Sequence, residues 1–295
     1  MSTVEGHLKA RKDPIVIGAL GGSGTRVFKR IVERAGYFMG TYCNTNEDAV
    51  PVRDFFRRWS YEWLKVSQQK TATPARSRIT QKMLDEFSHA IGRHLSTLPH
   101  LSLPWGFKVP KSILFLPFIH SAYPNMKFIH IIRNGLDMVY SQNWRLRING
   151  KLLLEPEDHS CPPYVQSIKY WGRINEMGND YGKRCLKDHY LLVRFEDIFV
   201  EPEGVIRKIS HFLGMPERTD LGPAMPEVTP PASVGRWRKR PMKEIYEIMK
   251  TGRVSLERFG YWNPLIWQRI EDAVHTPRWK RWALERSIMK HLPVF

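Results

Sequence analysis

Between Pro14 and Phe28 the sequence reads PIVIGALGGSGTRVF. A β-branched apolar run passes into glycines, then into Ser23-Gly24-Thr25-Arg26, and then into a helical pattern. A strand turning through small residues into a helix aims several backbone N–H groups and the positive helix end at one point, which makes a cradle for an anion. Gly21, Gly22, Ser23, Gly24 and Thr25 are its candidate binding residues; a tight strand–helix turn with no ligand is the alternative. Two common phosphate-binding patterns are not met. Walker A requires a Lys after the loop, and Gly24 stands where that Lys belongs. The Rossmann pattern requires a third glycine, and Arg26 and Val27 follow instead.

A second constellation follows the apolar run Lys127–Ile132. Arg133 ends the run, Asp137 comes four residues later and Ser141 eight residues later. On a helix following the strand, a guanidinium fork and a hydroxyl at this spacing can address one phosphate. The alternative is that Arg133 pairs with Asp137 and Ser141 is an ordinary helix residue. Two separate anion positions suit a nucleotide that carries a phosphate away from its 5′ end.

The elements that must position these residues alternate along the chain. Buried-type apolar runs predict strands at Ile15–Leu20, Gly106–Val109, Lys127–Ile132 and Tyr190–Arg194, with Phe38–Tyr42 a weaker fifth. Helical patterns cover Arg26–Ala35, Asp54–Gln69, Ile79–Leu95, Ile113–Ala122, Leu136–Arg147, Tyr164–Tyr181, Glu203–Leu213 and Met242–Thr251. Alternating strands and helices predict a three-layer α/β fold with a central parallel β-sheet flanked by helices. In such a sheet both loops sit at the carboxyl ends of strands, where ligands bind.

The 295 residues, 42% of them hydrophobic, suit one domain over 1–295. A flexible N-terminus at 1–13 and a basic, Trp-containing extension at 262–295 would flank it. A net charge of +17 favours an anionic partner. Three scattered cysteines, Cys43, Cys161 and Cys185, make neither a disulfide framework nor a metal site. No secretory signal and no run of about 20 apolar residues is evident, so a cytoplasmic protein without a transmembrane segment is expected.

The segment WGFKVPKSILFLPFIHSAYPNMKFIHIIRNGLDMVYS, over Trp105–Ser141, resembles the sulfotransferases that use 3′-phosphoadenosine 5′-phosphosulfate. Their first loop is a Ser-Gly-Thr-rich turn after an apolar strand, and their second motif has the Arg133, Asp137, Ser141 spacing. Lys108-Val109-Pro110-Lys111 resembles the Lys-x-Pro element of the bacterial and tyrosyl-protein branches. Val193–Asp197, then Pro202 and Phe212-Leu213-Gly214, resemble a further segment, and Gly235–Lys239 the C-terminal GxW loop. The small-phenol branch fits less well. Its catalytic His position is Pro110, its loop Lys is Gly22, and its Arg-Lys-Gly triplet is missing from PPASVGRWRK.

This resemblance implies a P-loop-like fold, a phosphosulfate donor held by Gly21–Thr25, and a 3′-phosphate held by Arg133 and Ser141. Arg26 either reaches the 5′-phosphate or faces outward. Lys108 is the implied catalytic cation on the leaving phosphate. Glu47 or Asp48 is the implied base, with Asp48 preferred. Arg236, Arg238 or Lys239 would replace the missing triplet, Ser233 would approach the sulfate, and Trp237 or Trp171 would offer the adenine an aromatic face. His120 and His130 read as core histidines. The acceptor is a hydroxyl on a carbohydrate, lipid or other alcohol, with no metal and no nucleic acid expected. A P-loop kinase or a non-catalytic polyanion-binding module is the alternative.

Overall fold

In the computed structural model the described residues are 13–67, 74–141, 153–215 and 229–276, with Ile288. Four strands form one parallel sheet: β1 (Ile15–Ala19), β2 (Gly106–Lys108), β3 (Lys127–Ile132) and β4 (Tyr190–Arg194). Their order is β2-β1-β3-β4, with Ile17 opposite Lys108 and Ile129, and Ile132 opposite Arg194. Every residue of β1 and β2 is buried, which explains their unbroken apolar character. The helices are α1 (Thr25–Arg34), α2 (Val50–Ser67), α3 (Pro74–His94), α4 (Leu116–Ala122), α5 (Gly135–Val139), α6 (Pro163–Tyr181), α7 (Asp197–Val200), α8 (Pro202–Leu213), α9 (Met242–Arg258) and α10 (Pro264–His275).

Two compact units divide the chain: Met1–Ile132 with Met177–Glu227, and Arg133–Glu176 with Val228–Phe295. The first holds the whole sheet and an aromatic core. Phe56 stacks on Phe115 with ring centroids 4.5 Å apart, and the Trp63 indole N–H donates to Leu114 O at 2.7 Å. The strand edge is tied to α3 by His94, whose Nε2 lies 2.8 Å from Gly106 O. In the second unit Trp171 is buried edge-on to Phe259 and Tyr261, and its indole N–H donates to Arg133 O at 2.9 Å.

Several elements differ from the sequence reading for identifiable reasons. Phe38–Tyr42 makes a single bridge, Phe38 to Trp105, rather than a strand. The run predicted as one helix over Ile113–Ala122 is a 3₁₀ turn, Pro110–Phe115, followed by α4, because Pro117 in the first turn of α4 starts a new helix. The helix predicted over Leu136–Arg147 ends at Val139, and residues 142–147 lie outside the described residues. α9 runs on to Arg258. α10 was not foreseen, although Asn263-Pro264 announces it: the Asn263 side chain accepts from the N–H groups of Leu265 and Ile266, and Pro264 occupies the first turn.

Candidate nucleotide and catalytic site

In the first unit β1 delivers the chain into Leu20–Gly24. Both the Ser23 N–H and its hydroxyl donate to Leu20 O, at 3.2 and 2.7 Å, and close the turn. Gly22 and Gly24 have φ of 100° and 79°, the left-handed region that favours glycine. Gly24 is the N-cap of α1, with no side-chain cap and no acidic residue in the first turn. The N–H groups that open α1 therefore have no side-chain oxygen capping them, and the helix dipole favours an anion there. A side chain at Gly24 would meet the ring of Phe195 at 2.0 Å. Phe195 follows β4 and donates its N–H to Ile132 O at 2.7 Å. The sequence marks Phe195 only as part of a motif; its work is to floor this loop. The residues fit the 5′ end of a phosphosulfate nucleotide, because the loop keeps small residues and open N–H groups at one helix start. Thr25 is buried and Arg26 is exposed.

Lys108 ends β2 and is 1% exposed. Its ammonium donates to Asp48 Oδ1 at 2.6 Å and to Asn46 O at 2.5 Å. An ammonium has three donors, and the third has no partner among the described residues. Burial pushes the Lys108 pKa below the usual lysine range, against the raising influence of Asp48 and Glu47 and with help from Lys29. The sequence-predicted catalytic residues Lys108, Asp48 and Glu47 are thus brought together.

The two carboxylates are not equivalent. Asp48 is buried and engaged by Lys108. Glu47 remains partly exposed. Its Oε1 accepts from Arg30 at 2.5 Å, and its Oε2 lies 3.9 Å from Lys29 Nζ. Burial alone would raise the Glu47 pKa, but the Arg30 hydrogen bond and the charges of Arg30, Lys29 and Lys108 outweigh it and hold it low. Glu47 also sits at φ 60°, a conformation strained for a residue with a Cβ.

In the second unit Arg133 and Asp137 are both buried. Arg133 Nη2 donates to Ser233 Oγ at 3.0 Å and lies 3.9 Å from Asp137 Oδ2. Asp137 in turn accepts from the N–H groups of Gly235, at 2.9 Å, and Trp237, at 3.4 Å. Burial raises the Asp137 pKa against the lowering effect of these donors and of Arg133. Asp137 therefore fastens the 3₁₀ turn Arg236–Lys239 beside α5, and Gly235 takes φ 73° to enter it. Arg236 donates to Tyr140 O at 3.3 Å. Its buried Nε and the buried Trp237 Nε1 have no hydrogen-bond partner among the described residues. Burial first, and the neighbouring Arg133 second, push the Arg236 pKa down.

Ser141 follows the end of α5 and donates its N–H to Met138 O, so it does not ride two turns along a helix as the spacing suggested. Arg238 is partly exposed and Lys239 exposed. Trp171 is core, packed as described above. His130 Nδ1 lies 2.7 Å from the Tyr190 hydroxyl and His120 Nδ1 2.9 Å from that of Tyr181; His130 is buried as a core histidine, whereas His120 is only half-buried.

A parallel α/β sheet with a glycine-rich strand-to-helix turn and a buried strand-end lysine defines the class of fold. The particular family follows from sequence. The model described as "Sulfotransferase family" matches residues 14–220, and the chain belongs to that family. A protein-tyrosine sulfotransferase of Drosophila melanogaster is 26% identical over 159 residues, which are 52% of this chain and 30% of that protein. The chain thus spans about a third of the length of that relative. A solved sulfotransferase, STF9 of Mycobacterium avium, has a similar fold, with a TM-score of 0.51 at 12% identity over 86% of this chain and 78% of that one. The sulfotransferase of Alicyclobacillus acidocaldarius gives a TM-score of 0.50 at 15% identity, over 88% of this chain and all of that one.

Proposed function

We propose that the protein transfers a sulfuryl group from 3′-phosphoadenosine 5′-phosphosulfate to a hydroxyl acceptor by in-line displacement. The observation that carries this reading is Lys108, a buried ammonium at a strand's carboxyl end with one N–H uncommitted. The donor supplies an activated sulfuryl group on a phosphate leaving group. The N–H groups of Gly24, Thr25 and the first turn of α1 hold the charge of its 5′ end, with Gly21, Gly22 and Ser23 shaping the turn. Arg133 and Ser141 hold the 3′-phosphate. The uncommitted N–H groups of Arg236 and Trp237 are further donors to it, and Arg238 adds charge. Lys108 neutralises the oxygen that leaves, the kind of interaction whose loss costs about 10²–10³-fold in rate.

The base is one of the two carboxylates, Asp48 bonded to Lys108 or Glu47 bonded to Arg30. A positioned base contributes about 10²–10⁴-fold. The acceptor is an alcohol of a carbohydrate or lipid, and tyrosine phenol joins the set through the Drosophila relative's name. No helix among the described residues is long and apolar enough to cross a membrane. A reducing, cytoplasmic setting suits the three free cysteines.

The test is transfer of label from ³⁵S-labelled donor to a panel of glycans, lipid alcohols and tyrosine peptides. Transfer to one class, reduced about 100- to 1000-fold in Lys108→Met, is the expected result. Transfer that survives Lys108→Met unchanged would overturn the role of Lys108, and transfer of phosphate from magnesium-ATP would overturn the reaction.

A further inference from the structure

We propose that Asn44 is a positioning residue that aims the ammonium of Lys108. The inference deepens the transferase reading and rests on it for its consequence, though not for its geometry. Lys108 has two acceptors, the Asn46 carbonyl and the Asp48 carboxylate, both from the segment that follows Asn44. The Asn44 Oδ1 accepts from the N–H of Asn46 at 2.9 Å and from the N–H of Asp48 at 2.9 Å. These are the two residues that hold the lysine. Its Nδ2 donates to Asp48 Oδ2 at 3.4 Å, the carboxylate oxygen that Lys108 does not bind.

The backbone closes the same loop. Asn44 N–H donates to Asp48 O at 3.1 Å, Glu47 N–H to Asn44 O at 2.8 Å, and Ala49 N–H to Lys108 O at 3.2 Å. A bridge between Cys43 and Ala49 fixes the loop's base. Glu47, between the two anchored residues, is held at φ 60°. The side-chain amide therefore holds Asn46 and Asp48 in place, while the Glu47 N–H bond to Asn44 O orients the peptide that carries the Asn46 carbonyl, and together these set the direction of the third ammonium N–H. An asparagine serves here because it accepts twice and donates once from one planar group. Aspartate would keep the two acceptor bonds, lose the donor, and put a second negative charge beside Asp48.

Asn44→Ala removes all three bonds. The loop then no longer fixes Asp48 against Lys108, and the ammonium loses its aim and part of its counter-ion. The charged groups that face Lys108 are Asp48, Glu47 and Lys29, with the Cys43 thiol near. With burial unchanged and the carboxylate less well held, the lysine gives up its proton at lower pH. Asn44→Asp acts in the opposite sense.

The experiment is a pH titration of the Lys108 side chain in the full chain, by NMR with ¹³C,¹⁵N-labelled lysine, with Lys108→Arg used to assign the signal. It runs beside calorimetric binding of adenosine 3′,5′-bisphosphate and unfolding of each variant. The expected result is a Lys108 transition about one pH unit lower in Asn44→Ala and higher in Asn44→Asp. Bisphosphate affinity changes less than threefold, and labelled transfer falls about tenfold or more in kcat with the donor KM kept. A Lys108 transition that does not move in either variant would overturn the proposal, whatever the stability change. Failure of the wild-type protein to bind the bisphosphate would instead defeat the transferase reading and leave the titration result standing.

Discussion

Residues 20–25 and residues 133–141, the two segments proposed to meet the donor's charges, are built differently, the first from main chain and the second from side chains. In the first, the open donors are the N–H groups at the start of α1, and the side chains are removed or turned inward: Gly22 and Gly24 are left-handed, and Ser23 bonds back to Leu20. In the second, the charge comes from the buried guanidinium of Arg133, and the buried carboxylate of Asp137 holds a distant turn beside it. A backbone cradle depends on what is missing, so it fails when something is added. A side-chain cradle depends on a partner, so it fails when something is taken away.

The comparison is broken most directly at Gly24. Gly24→Ala puts a methyl where Phe195 already sits and forces a Cβ into the left-handed region. The overpacking and the backbone strain together cost about 2–4 kcal/mol. Phe195→Ala on the same background recovers the overpacking part in urea unfolding and leaves the strain. If Gly24→Ala unfolds at the wild-type midpoint, the close approach of Phe195 is wrong.

Asp137→Ala is the next largest. It leaves the N–H groups of half-buried Gly235 and buried Trp237 without their acceptor, at about 1–3 kcal/mol for the buried one and less for the other. Donor affinity falls with the loosened turn. Asp137→Asn keeps an acceptor oxygen and is milder, since burial already disfavours the charged carboxyl. Equal losses in the two variants would show that the turn needs the charge itself.

The smallest effect belongs to Glu47. Its pKa is held below the usual value, so the stability it contributes is present above about pH 4.3 and is lost as pH falls through its folded pKa. Partly exposed pairs of this kind contribute about 0.2–1 kcal/mol. Glu47→Gln therefore flattens the acid limb of stability slightly, and salt weakens the wild-type contribution. An unaltered acid limb would remove Glu47 from the ion-pair cluster.

The same contrast explains what was legible. β3 and β4 have the bounds that their apolar runs predicted, and the first loop was readable because glycines and a strand–helix change announce themselves locally. The function of Asp137 was not readable. Its partners Gly235 and Trp237 lie about a hundred residues on, and no local pattern signals such a bond. Lys108, Asp48 and Glu47 were gathered by the family resemblance. Their unequal ion pairs emerge only from the structure, which gives Asp48 to Lys108 and Glu47 to Arg30. Asn44 reads in sequence as ordinary turn composition, and its two bonds to the N–H groups of Asn46 and Asp48 are indeed a turn; what it holds in place is Lys108. α10 stopped being legible for a different reason, because aromatic and basic residues around Asn263-Pro264 obscured a sound helix start.

The central claim of the proposed function is that the protein binds a nucleotide carrying a 3′-phosphate, with Arg133 as one of its contacts. Isothermal titration calorimetry with adenosine 3′,5′-bisphosphate, run beside magnesium-ATP and repeated on Arg133→Ala, tests it. The account predicts micromolar binding of the bisphosphate, weaker binding of magnesium-ATP, and a loss of about tenfold or more in Arg133→Ala. No binding of the bisphosphate, or tighter binding of magnesium-ATP, would contradict it.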